Sequence, residues 1–380
     1  MRRRDLLARG NGIALALALL PRAARAQIEG LVRELEREIP ELLTKTRVPG
    51  ISIALIQDSK TVWHRGFGFR DATSRIPVDN GTLFEAASMS KPVFAYVVLK
   101  LCERGVLDLD TPLTKYTPVK LLEGDARLEQ ITARHVLSHT SGFQNWRSRK
   151  EPLKIHFTPG EQYLYSGEGY HYLQSVVTRL TGHVNSKACG QYEGGVEVCA
   201  TDFDAHMKAN LLQPFGMSSS GYVWTDAIGK RMARSHDAQG RPLQNKRSTA
   251  VDVARYGSAG ALLTTAAEYA KFLIEVIDPK ASDRFRLGRA SLREMLRPHA
   301  KVTDGDGYSV SWGLGWRIAR TKDGELVSHG GDNTGFHSLA EVCVAKKSGY
   351  VIMTNGDNGT ELLKQLAPSV SRRLYALRGN

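Results

Sequence analysis

Apolar positions along this 380-residue chain recur at helical spacing in its middle and alternate at strand spacing near both ends. Over 28–46, Leu31, Leu35, Ile39 and Leu42 share one stripe, which predicts an amphipathic helix kinked near Pro40. After Val48-Pro49-Gly50, two β-like runs at 51–57 and 61–69, joined by Asp58-Ser59-Lys60, predict a hairpin. A helical pattern follows Ser88-Met89-Ser90-Lys91 through Val93, Val97 and Leu101 and stops at Gly105, which puts Ser88 on a first helical turn.

From 121 to 282 strand signals are scarce. Helices are predicted over 132–139, 169–180, 202–212 and 265–277, the last opened by the capping pattern Thr265-Ala266-Ala267-Glu268. Strand patterns return at 312–319, 325–328, 336–344 and 350–354, and a helix over 361–377 ends the sequence. Strands at both ends with helices between them imply an α+β fold whose single antiparallel sheet is assembled from the two ends and flanked by helices. Residues 27–120 and 283–380 form the expected sheet lobe, and 121–282 an inserted helical lobe.

Residues 1–26 stand apart. Arg2-Arg3-Arg4, an apolar run from Ile13 to Leu20 and the ending Ala24-Arg25-Ala26 describe an export signal cleaved after Ala26, with the twin-arginine route suggested by Arg3-Arg4 and general secretion as the alternative. That run is too short to span a bilayer, and no other stretch is long enough. The expected location is the periplasm. The leader's six arginines and one aspartate account for five of the formal +13 charge, leaving +8 spread without a basic, aromatic-interleaved run, which argues against nucleic acid as a partner. Of the four cysteines, Cys189 and Cys199 flank a Gly-rich loop at a spacing that a disulfide can close in an oxidising compartment, whereas Cys102 and Cys343 read as small buried hydrophobes.

Three patches carry chemistry. Helical spacing lets the Lys91 amine reach the Ser88 hydroxyl, and a desolvated lysine can take a serine's proton. Tyr165, in the turn-rich segment Tyr163-Leu164-Tyr165-Ser166-Gly167, offers a phenol that could share that proton. His329-Gly330-Gly331-Asp332 places paired glycines at a strand, where a substrate can approach the backbone closely.

In this order the patches resemble the serine β-lactamase and penicillin-binding-protein superfamily, in its class C β-lactamase-like branch, which also holds D-stereospecific peptidases and carboxylesterases. Supporting phrases are His135-Val136-Leu137-Ser138-His139-Thr140-Ser141-Gly142, Gly260-Ala261-Leu262-Leu263-Thr264 and Gly313-Leu314-Gly315-Trp316. The resemblance implies a β-lactamase/transpeptidase-like fold, Ser88 as nucleophile, Lys91 as its proton partner, Tyr165 as second acid/base, and the His329 strand as one wall of the cleft. The oxyanion hole would use the N–H groups of Ser88 and Asp332, beside Gly330 and Gly331, and no metal or cofactor is required. Relative to the family, 183–201 looks like an insertion. Two departures bear on substrate: Gly167 stands where class C proteins carry asparagine, and His329-Gly330-Gly331 replaces Lys-Thr-Gly. A mostly neutral histidine and a missing hydroxyl suit a substrate carboxylate poorly.

The expected function is therefore an exported serine hydrolase forming a Ser88 acyl-enzyme on a small ester, amide or D-amino-acid peptide, with the His329 charge state gating activity near its own pKa. Alternatives are a D,D-carboxypeptidase, a weak β-lactamase, or a lapsed member that only binds cell-wall peptides. His135 and His139 are four apart but lack the glutamate of a zinc helix, so a structural role such as capping the turn at Gly142 is expected. Asp304-Gly305-Asp306-Gly307 reads as a surface turn rather than a calcium loop.

Overall fold

The computed structural model describes residues 22–117, 121–182, 192–193, 196–197, 199–244, 250–305, 308–321 and 324–377. Most of the expected leader, residues 1–21, lies outside them, as do most of the 183–201 insertion and Cys189. Cys199 is disulfide-bonded, and Cys102 and Cys343 are free.

The described residues open with helix α1 (Arg22–Thr46), which contains Pro40. The hairpin β1 (Gly50–Gln57) and β2 (Lys60–Asp71) follows, then short β3 (Ile76–Pro77) and β4 (Phe84–Glu85), and then α2 (Ser90–Glu103). Helices dominate next: α3 (Ala133–Leu137), α4 (Gly167–Thr181), α5 (Ala200–Met207), α6 (Asp226–Gly229), α7 (Ala250–Gly260), α8 (Ala266–Ile277) and α9 (Arg289–Leu296). Among them are the two-residue strands β5 (Tyr192–Glu193), β6 (Val196–Glu197) and β7 (Leu263–Thr264). The last third supplies β8 (Ala300–Gly305), β9 (Tyr308–Trp312), β10 (Arg317–Thr321), β11 (Gly324–Asn333), β12 (Phe336–Cys343), β13 (Ser348–Thr354) and helix α10 (Gly359–Ala376).

One antiparallel sheet, ordered β3-β2-β1-β13-β12-β11-β10-β9-β8, joins both ends of the chain where β1 pairs with β13, Ile53 opposite Ile352. The α+β architecture expected from the sequence is the observed one. Every residue of β1 is buried because each sheet face carries its own core. Ile51, Ile53 and Leu55 meet α1 and α10 through Leu35, Ile39, Leu366 and Val370, while Ala54 and Ile56 face the core that holds α2, α4 and α8.

Two expectations need correction. The stretch 312–319 is two strands, broken by a loop in which Gly315 has φ 83° and its N–H donates to Leu137 O. A Cβ at Gly313 would lie 2.6 Å from Met295 O, so the glycines that looked compatible with one strand are what allow the break. The pairing of β8 with β9 was hidden by the polar alternation of both strands, and Asp306-Gly307 of the expected surface turn lie outside the described residues. The second correction concerns α8: Thr265 caps it by accepting the Glu268 N–H, but the Glu268 carboxylate turns to Ser219 N and Ser220 Oγ.

Candidate active site

Ser88 lies in a 3-10 turn, Ala87–Met89, that leads into α2. Ala87 has φ 48°, a left-handed conformation that costs a residue with a Cβ about 1–2 kcal/mol. Surrounding hydrogen bonds hold it there. Ala86 N donates to Leu262 O at 2.8 Å, Ser338 Oγ to Ala86 O at 3.0 Å, and Tyr269 OH to Met89 O at 2.9 Å. Ser90 Oγ donates to Ala87 O at 2.7 Å and accepts the Leu262 N–H at 3.0 Å.

One helical turn on, Lys91 Nζ lies 3.1 Å from Ser88 Oγ and donates to Ala259 O at 2.8 Å. Burial of this amine, 1% exposed, lowers its pKa to about 7, so near neutrality much of it is uncharged and able to accept a proton. Tyr165 enters from the segment before α4. Its ring centre lies 4.8 Å from Lys91 Nζ. Burial pushes the phenol above its usual range, with the Ser88 side chain opposing the rise, so it stays protonated. Serine, amine and phenol, from residues up to 77 apart in sequence, thus line one cavity.

His329 lies on β11 with its ring 6.3 Å from Tyr165 and 5.5 Å from Trp312. Its Nδ1 sits 2.6 Å from Gly330 O, and Nε2 has no hydrogen-bond partner. Burial, with Lys91 second, lowers its pKa to about 3. A charge change of His329 near its own pKa, the gate expected from the sequence, thus falls well below neutral pH, and at pH 7 the imidazole is uncharged.

The wall formed by β11 follows from register. β10 pairs with β11 only as far as Arg317 opposite Ser328, whereas β12 continues to Asn333 opposite Phe336. Alternation of antiparallel bonding then directs Gly331 and Asn333 to β12, and the N–H groups of Gly330 and Asp332 to the unpaired edge. A Cβ on Gly331 would sit 2.2 Å from Ala86 O, so glycine is what lets this edge lie against the Ser88 turn. Gly330 has room, its nearest neighbour being Ser338 O at 3.7 Å. The Asp332 carboxylate lies 3.3 Å from His337 Nδ1.

Several participants carry no obvious motif. His139 is fully buried, with its ring 4.2 Å from Tyr165 and 5.0 Å from Trp312, and its Nδ1 accepts the Ser166 N–H at 3.0 Å. Rather than merely capping a turn, it backs the Tyr165 ring. Burial first, then Lys91 and His329, keep it well below the ordinary histidine pKa. Its position in the phrase around Ser138 and Gly142 was the available signal. His135, four residues earlier, is spent in the capping box of α3 with Thr132. Among the described residues no group of three His, Cys, Asp or Glu side chains is placed to hold a metal ion.

At Gly167 the structure shows why asparagine is missing: a Cβ would meet three Trp146 ring atoms at 2.2–2.5 Å. Trp146 and Tyr256 line the same cavity as Ser88, Lys91 and Tyr165, about 1670 Å³ in volume and continuing along β11 toward α10. Near Ser88 it is also lined by Glu85, whose buried carboxylate accepts Asn333 Nδ2 at 2.7 Å. Burial raises that carboxyl's pKa, the Asn333 bond opposes the rise and the Asp252 charge adds to it. The arrangement can remove a proton from Ser88 and offer amides to an oxyanion; among the described residues the cations that line the cavity are Lys91, half-neutral at pH 7, and Arg317, Lys346, Lys364 and Arg372.

A sequence model of the family described as Beta-lactamase matches residues 32–372. A penicillin-binding protein of Bacillus subtilis (strain 168) is 23% identical over 351 residues, covering 83% of this chain and 70% of the relative. Protein flp of Staphylococcus aureus (strain N315) is 22% identical over 345 residues, covering 85% of this chain; the chain spans 63% of that relative's length. Among solved structures, the octameric penicillin-binding protein homologue from Pyrococcus abyssi has a TM-score of 0.71 at 24% identity, covering 90% of this chain and 77% of that one. The D-alanine carboxypeptidase AmpC from Burkholderia cenocepacia has a TM-score of 0.69 at 18% identity, covering 90% and 99%. These structures share the fold.

Proposed function

The chain belongs to the Beta-lactamase family, and from that premise we propose that it is an exported serine hydrolase that forms an acyl-enzyme on Ser88 with neutral esters, amides or D-amino-acid derivatives. The observation that carries this reading is the Lys91 amine, held at a pKa of about 7 and 3.1 Å from Ser88 Oγ. In the proposed cycle Lys91 accepts the Ser88 proton as Oγ attacks the carbonyl. The tetrahedral oxyanion is stabilised by the Ser88 and Asp332 N–H groups, each worth roughly 3 kcal/mol. Collapse expels the alcohol or amine, which takes its proton from Tyr165; the Lys91 ammonium returns one to the phenol. A water then attacks the ester, gives up a proton through the same pair, and restores the Ser88 hydroxyl as the acid leaves.

A second reading, D-alanine carboxypeptidase, is supported by the name of a structural neighbour. It is opposed by the buried, neutral His329, which cannot pair with a terminal carboxylate. Steady-state rates on a short-chain p-nitrophenyl ester, a D-amino-acid p-nitroanilide, a peptide ending in D-alanyl-D-alanine and nitrocefin decide between them. Ester or anilide turnover exceeding nitrocefin turnover at least a hundredfold is expected, and efficient nitrocefin turnover would overturn the substrate reading. Intact-mass analysis after a fluorophosphonate tests the nucleophile: the adduct should be lost in Ser88→Ala. For export, N-terminal sequencing of the processed protein should begin at Gln27.

A further inference from the structure

Trp146 owes its place to a set of fixed contacts. Asn145 O accepts the Gly167 N–H at 3.0 Å and the Glu168 N–H at 2.9 Å, and Asn145 Oδ1 also accepts the Gly167 N–H at 2.9 Å. On the other side, the Glu168 carboxylate, fully buried, accepts Arg147 N at 2.8 Å, Arg147 Nη2 at 2.7 Å and Arg255 Nη2 at 2.7 Å. Arg255 precedes Tyr256, whose ring meets Trp146 edge to face with centroids 4.9 Å apart. The Arg255 guanidinium lies 5.7 Å from the Trp146 ring centre and 5.9 Å from that of Tyr256. A buried carboxylate and two arginines thus fix the backbone on both sides of one indole and beside one phenol.

Holding charges out of water this way is costly unless the geometry serves something, and what it presents here is an aromatic surface in the cleft. Tyr256 is 40% exposed, a large ring left open to the cavity that also holds Ser88. The absent side chain at 167 is the complement: any Cβ there would displace the indole.

We propose that Trp146 and Tyr256 form the acyl-group subsite and select substrates whose acyl portion is flat and apolar, an aromatic ring above all. This rests on the serine hydrolase reading. With the oxyanion directed to the β11 edge and the leaving group to Tyr165, the acyl group is assigned to the Trp146 end of the cavity rather than to the stretch along β11 toward α10, because that end carries the fixed aromatic faces. Indole and phenol faces are matched by aromatic rings in offset or edge-to-face packing and less well by a methyl group. Trp146 is a specificity-determining residue here, with no role in proton transfer.

The test varies only the acyl group, comparing p-nitrophenyl phenylacetate with p-nitrophenyl acetate for the purified full-length protein and its variants. The wild type is expected to favour phenylacetate in kcat/KM by at least tenfold, after correction for the intrinsic reactivities of the two esters. Trp146→Ala should erase most of that preference and Trp146→Phe should keep most of it, which separates loss of the ring from loss of folding. Equal wild-type rates, or a preference that survives Trp146→Ala, would overturn the subsite. Failure to turn over either ester, with no fluorophosphonate adduct on Ser88, would overturn the hydrolase reading and the subsite with it.

Discussion

At the scale of single residues, burial sets the chemistry. Lys91 has a folded-state pKa of about 7 against an ordinary 10.5, so between those values the unfolded chain binds more protons than the folded one. Its cost to stability is full below pH 7 and is relieved as pH rises toward 10.5, a penalty of a few kcal/mol. Lys91→Met should therefore raise the melting temperature, more at pH 6 than at pH 9, while abolishing fluorophosphonate labelling; thermal melts at the two pH values check it. Activity needs the uncharged amine, so kcat/KM should climb with pH through a midpoint near 7. Because His329 is held near 3, the same midpoint is expected in His329→Gln, and a midpoint displaced by a full pH unit would restore the histidine as a titrating group. Spacing and order single out Ser88, Lys91 and Tyr165 in the sequence, and the structure brings the three into one cavity. The sequence could not give the charge state of His329, because desolvation depends on Trp312 and Tyr165, which are distant in the chain and pack against it only after folding.

At the scale of elements, the loop around Trp146 and the start of α4 behave as one unit. Gly167→Asn, the residue that family resemblance would suggest, should clash with the indole and destabilise the protein by about 2 kcal/mol or more. Combined with Trp146→Ala it should cost clearly less than the two single changes summed. A double-mutant cycle by chemical denaturation measures the coupling, and strict additivity would show that the two positions do not compete for space. The sequence showed the glycine and left its cause hidden, since 146 and 167 lie in different elements and the indole reads as one more hydrophobe. The hairpin of β8 and β9 escaped for a related reason: Lys301, Thr303 and Ser309 make its strands polar, and the sheet edge does not need apolar residues on both faces.

For the molecule as a whole, the two sheet faces divide stability from chemistry. The core under α1 and α10 lies across the sheet from Ser88, although Ala367 and Tyr375 of that core line the far end of the same cavity, whereas Leu366 does not. Leu366→Ala, at a fully buried position of that core, should cost about 2–5 kcal/mol and lower the melting temperature, yet leave kcat at 25 °C within about twofold. A large fall in kcat at a temperature where the variant remains folded would show that the faces are coupled. The assembly of the sheet from both ends was readable, because β-rich patterns at the two ends with helices between them admit few arrangements. The order within it was less so, for register depends on turns such as Thr334-Gly335 and on how far each strand runs.

β10 falls short of its neighbour, ending its pairing at Ser328 while β11 runs on to Asn333. The mouth of the protein is thus a gap in a pleated fabric, a few residues long and already shaped before any visitor arrives. An extended guest would mend that gap by accepting from the edge N–H groups through its carbonyl oxygens, which peptides and esters alike possess, so choosing among guests would fall to the side walls.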